Sequence, residues 1–103
     1  MIDKNIVKLS RMFNLVFRVE SEYVEDSQIV EQEIEIVNKE NQEPLFAIYV
    51  DTENGKMNYT LSIFNVENNG QGKKYIDTSS FTIYDDMKSV MERIKQEMKK
   101  NVT

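Results

Sequence analysis

Leu45–Phe64 reads LFAIYVDTENGKMNYTLSIF: two alternating apolar runs that meet at Asn54-Gly55. Asn-Gly in that setting predicts a two-residue type I′ hairpin, because both central residues of such a turn need positive φ. Gly takes that conformation freely and Asn tolerates it. A two-residue loop sets Glu53 opposite Lys56, Val50 opposite Tyr59, Ile48 opposite Leu61 and Phe46 opposite Ile63. Side chains alternate with period 2, so the three apolar pairs share one side of the pleat. Tyr49 with Thr60, Ala47 with Ser62 and Leu45 with Phe64 fall on the other side. A one-residue slip would turn the core set to water, so the register is well specified. Glu53 and Lys56 are expected to form a surface ion pair, a class worth roughly 0–1 kcal/mol.

Downstream, a second Asn-Gly at Asn69-Gly70 predicts Phe64 opposite Tyr75 and Ile63 opposite Ile76. The fifth strand, about Lys73 to Ile83, then has conflicting parity. Ile76 belongs to the core face, which leaves Phe81 and Ile83 on the opposite one. A bulge near Thr78–Ser80 is expected to return Phe81 and Ile83 to the core.

Upstream, Pro44 has no N–H to donate and suits the start of the third strand. Ile29 to Val37 alternates strictly, with Val30, Ile34 and Ile36 inward and Glu31, Glu33 and Glu35 outward. Leu15 to about Tyr23 does the same, with Leu15, Phe17 and Val19 on one side. Val16, Arg18, Glu20 and Glu22 lie on the other. Glu25-Asp26-Ser27 supplies the turn between these strands.

Helices are expected at both ends. Over residues 3–13, Ile2, Ile6, Leu9 and Phe13 make an apolar stripe, with Asp3 as N-cap and Asn14 as C-terminal cap. Over Met87 to about Lys99, the stripe is Met87, Val90, Met91, Ile94 and Met98, capped by Asp85 or Asp86. The expected fold is a single α+β domain over residues 1–103. It has two layers: a five-stranded antiparallel meander with an N-terminal and a C-terminal helix on one face.

The 103 residues include no His, Cys or Trp. Disulfides, thiol chemistry and hydrolysis with a His base are therefore excluded, and the usual zinc and copper ligands are missing. No apolar run approaches the roughly 18 residues of a membrane span, and no signal-peptide pattern opens the chain. A cytoplasmic protein with no membrane contact is expected. Asp51-Thr-Glu-Asn-Gly begins like a calcium loop, but Gly stands at the fifth position and Ser62 replaces the required glutamate. No metal or cofactor site is expected. Glu31, Glu33 and Glu35 should stand open to water, which does not suit catalytic carboxylates. No catalytic residue is assigned, and the chain is not expected to be an enzyme.

The formal net charge is −5, and its distribution is uneven. Residues 20–43 carry nine acidic residues and one lysine, net −8, so the remainder is net +3. By parity, the open sheet face should present Glu20, Glu22, Glu31, Glu33, Glu35 and Asp51 on one flank. Leu45, Tyr49, Phe64 and Tyr75 should lie on the other. Such a surface repels phosphate, so direct nucleic-acid binding is disfavoured. It suits a protein partner with a basic surface, such as the groove of a nucleic-acid-handling protein, where the carboxylates imitate phosphate charge. The alternative is a homodimer or larger homo-oligomer, structural or chaperone-like, that associates through the apolar flank of the open face. In size, acidity and lack of catalytic residues the chain is similar in general kind to mobile-element inhibitors such as anti-CRISPR proteins and uracil-DNA glycosylase inhibitors. No residue role is taken from that likeness.

Overall fold

The computed structural model describes residues 4–69 and 72–100, with the side chains of residues 6–64 and 82–100. The chain runs α1 (Lys4–Phe13), β1 (Leu15–Glu25), β2 (Gln28–Asn38), β3 (Pro44–Glu53), β4 (Lys56–Asn69), β5 (Gly72–Tyr84), α2 (Met87–Lys100). The strands form one antiparallel meander in the order β1-β2-β3-β4-β5. Both helices pack on one face of it, giving the expected two-layer α+β fold.

The β3–β4 hairpin sets the register. Asn54 and Gly55 have φ of 54° and 78°, and the pairs from Phe46–Ile63 to Glu53–Lys56 form in the expected order. Ile36, Ile48, Val50 and Leu61 of the sheet are buried in one cluster with Val90 and Ile94 of α2 and Ile6 and Leu9 of α1. Asn14 has φ 57° and ends α1. Its carbonyl accepts a 2.9 Å bond from the Lys39 N–H, tying the helix to the β2–β3 turn. Asp26 and Ser27, both at positive φ, make the β1–β2 turn. The expected Asp3 cap lies outside the described residues.

Alternation is broken at four places, and each one moves side chains. In β1, Val19 faces Ile34 but Ser21 faces Glu33, so Glu20 is an extra residue. From there Glu22 lies opposite Gln32 on the helix side, and Tyr23 lies opposite Glu31 on the outward side. The expected outward position of Glu22 is therefore corrected. In β2 the extra residue is Val30, so Ile29 rather than Val30 continues the inward side. In β3 it is Leu45, which packs against the core instead of joining the open face.

The fourth break lies between β4 and β5. Asn69 faces Gly72, and this register sets Phe64 opposite Asp77 and Val66 opposite Tyr75. The expected Phe64–Tyr75 and Ile63–Ile76 pairs do not form. The irregularity sits where it was expected, against Thr78–Ser80, but it adds two residues, since Phe64 faces Asp77 and Ser62 faces Phe81. An even insertion preserves parity. Thr82 and Tyr84 therefore lie opposite Leu61 and Tyr59, whereas Phe81 lies at a register position opposite Ser62. Ile83 is 69% exposed. Ile83 is therefore not returned to the core, and the side chain of Phe81 lies outside the described residues.

Lys56 pairs with Asp85, Nζ to Oδ1 at 2.9 Å, rather than with Glu53. That leaves Asp86 as the α2 cap: the Ser89 N–H donates to its Oδ1 at 2.7 Å. Hydrogen bonds from the Ser89 backbone and then its side chain hold the Asp86 carboxyl below its ordinary range. A depressed folded-state pKa adds stability above the unfolded value and loses it as pH falls through the folded one. Asp86→Ala should lower the thermal midpoint by a few degrees at neutral pH, and Asp86→Asn by less, since Asn also caps. The Asp86→Ala deficit should shrink on acidification below about pH 4, as followed by circular dichroism.

Candidate partner-binding surfaces

Side chains directly opposite each other in an antiparallel pair share a face, so the outward face is a set of cross-strand rows. One runs Arg18, Glu35, Ala47, Ser62; the next Ser21, Glu33, Tyr49, Thr60, Ile83; the next Tyr23, Glu31, Asp51, Asn58. The face closes at one end. Val37, flanked in register by Val16 and Pro44, is fully buried although alternation puts it on the outward side.

The expected acidic flank is brought together only in part. Arg18 donates from its guanidinium NH2 to Glu35 Oε1, and its Nε lies 3.7 Å from Glu20 Oε1. Glu20 and Glu35 therefore share one cation, and Glu22 is on the other face. Glu31, Glu33 and Asp51 remain, and none has an ion-pair partner among the described residues. Glu31 and Asp51 face each other directly, an arrangement that destabilises a sheet.

The expected aromatic flank is also rearranged. Leu45 packs against the core, Phe64 is half-buried, and Tyr75 is placed by its backbone alone, opposite Val66. Tyr49 remains outward at 42% exposure and gains Tyr23, at 56%, across Glu31. Nothing in the sequence marks Tyr23, because its face depends on the extra residue at Glu20. The Tyr49 phenol is pushed above its ordinary range, first by hydrogen bonding to Glu31, then by partial desolvation and the charges of Glu31, Asp51 and Glu33. Among the described residues, no cluster of three or more His, Cys, Asp or Glu side chains is placed to hold a metal ion. No helix among them is long and apolar enough to cross a membrane.

The helix side carries a second surface that sequence reasoning missed. Ten and 14 residues make α1 and α2 about 15 and 21 Å long at 1.5 Å per residue. Eleven-residue β1 and β2 reach about 36 Å at 3.3 Å per residue. Among the described residues, the helices therefore leave the β1–β2 end of the inner face uncovered. A groove of about 450 Å³ runs along β1 from Leu15 and Lys39 towards Ile29 at that end, between α1, the sheet and the start of α2. Its apolar lining includes Ile6, Val7, Phe17, Val19, Ile29 and Met57. Val19 and Val24 beside it are 54% and 49% exposed.

Two outcomes test the outward face. Asp51→Asn should stabilise the fold by about 0.2–1 kcal/mol in urea unfolding, less at high salt, by removing the charge opposite Glu31. Tyr49 should ionise above pH 10.0 in an ultraviolet titration, and Glu31→Gln should bring that midpoint down. A raised tyrosine pKa contributes stability below the unfolded value and loses it as pH climbs through the folded one. Tyr49→Phe should therefore flatten the loss of stability above pH 10. No family model, curated protein or solved structure matches this chain.

Proposed function

We propose that this chain is a non-enzymatic protein-binding domain. It presents the outward face of its sheet to a basic groove on a nucleic-acid-handling protein, in the manner of a DNA-mimicking inhibitor. The observation that carries this reading is the placement of Glu31 and Asp51 directly opposite each other, with Glu33 one row away and, among the described residues, no cation paired to any of them. Like charges set together in this way cost stability, and a basic partner relieves that repulsion on binding. Tyr23 and Tyr49 beside them supply exposed aromatic area of the kind that anchors interfaces. The charge speeds association and orients the partner, while the aromatic rings supply buried area.

The test is capture of binding proteins from a lysate by the immobilised domain, with and without duplex DNA as competitor. Wild-type domain should retain basic nucleic-acid-binding proteins that duplex DNA displaces. The Glu31→Lys/Glu33→Lys variant should lose them while staying folded, with a thermal midpoint at or above that of the wild type because the repulsion between Glu31 and Asp51 is gone. Capture that neither the variant nor DNA diminishes would overturn the reading.

A further inference from the structure

We propose that the apolar groove on the helix side is a docking site for a basic amphipathic helix of a partner protein. It stands independently of the outward face, from which it is separated by the thickness of the sheet. Val7, Val19 and Val24 are large apolar side chains left exposed in one neighbourhood, with Val24 opposite the groove-lining Ile29. Contiguous exposed apolar surface of this kind marks an interaction site. Apolar residues at helical spacing on one face of a partner helix fit such a groove.

Charge selects the partner. Among the described residues the groove lining contains no carboxylate, and Lys39 is its one charged residue. The hairpin that frames the open end is acidic, with Glu20, Glu22, Glu25 and Asp26 all exposed. The bulge at Glu20 puts Glu22 on the helix side, opposite the groove-lining Gln32. Arg18, the cation nearest in sequence, is engaged by Glu20 and Glu35. A helix seated in the groove therefore meets carboxylates along its flank at the hairpin end, which favours Lys and Arg there and repels acidic helices. Addition of an extended strand to the β1 edge fits less well, because the bulge at Glu20 interrupts the ladder that such a strand would extend.

The experiment uses the full chain and a fluorescent amphipathic peptide of leucine and lysine, with its leucine–glutamate counterpart as control. Anisotropy at physiological salt should show saturable one-to-one binding of the lysine peptide alone. Val19→Lys/Val24→Lys should weaken it by about tenfold or more, and Glu22→Lys should weaken it several-fold. Glu31→Lys/Glu33→Lys, on the opposite face, should leave it unchanged even if that variant loses the partners of the outward face. Because Val19, Val24 and Glu22 are exposed, the variants at these positions should keep the wild-type thermal midpoint. Three results would each overturn the proposal: equal binding of the glutamate peptide; loss of binding through Glu31 and Glu33 but not Val19 and Val24; or a wild-type dimer in sedimentation that Val19→Lys/Val24→Lys dissociates. The last would assign the groove to a second copy of this chain.

Discussion

Two-fold alternation across the pleat, anchored at the Asn54-Gly55 turn, is the constraint on which the rest of this structure depends. The turn needs left-handed backbone at both central positions, so it holds one register. That register stacks Phe46, Ile48 and Val50 beside Ile63, Leu61 and Tyr59, and α1 and α2 have one apolar surface on which to pack. A slip of one residue would exchange that surface for Tyr49, Ala47, Thr60 and Ser62. The core and the outward face are thus two consequences of one pairing.

The departures from alternation do as much as alternation itself. Glu20, Val30 and Leu45 are single extra residues, and each reverses the parity of the strand beyond it. The first sends Glu22 to the helix side and turns Tyr23 outward. The third draws Leu45 against the core. Against β4, two extra residues in β5 leave parity intact, and Ile83 stays in water. An odd insertion re-aims a strand, and an even one only bends it. The charge of the outward face is set by these bulges as much as by composition. Arg18 screens Glu35 and Glu20, and the unscreened repulsion is confined to Glu31, Glu33 and Asp51.

The second determinant is length. The helices are shorter than the strands they cover, so the inner face is sealed at one end and open at the other. Burial obeys that division. Leu15, Ile36 and Phe46 are buried, while Val19 and Val24, on the same apolar side, are about half exposed. The same hairpin carries the acidic excess of the chain. Apolar surface and negative charge therefore meet at the β1–β2 end, on the side opposite the outward carboxylates.

By itself the sequence determined the element order, the hairpin register, the helix stripes and the acidic excess of residues 20–43. Those features are local: turn chemistry, period-2 and period-3.6 patterns and charge are properties of neighbouring residues. It also marked an irregularity at Thr78–Ser80 from the parity conflict of Ile76 with Phe81 and Ile83. Only the tertiary structure decided how many residues that irregularity absorbs, and that Glu20, Val30 and Leu45 stand outside the pairing. A bulge is chosen by the twist and packing of the partner strand, and no residue in ESEYVEDSQIV announces one. The groove was hidden for a related reason. Val7, Val19 and Ile29 each look like ordinary core positions, and their exposure comes from the relative lengths of helices and strands in the assembled layers.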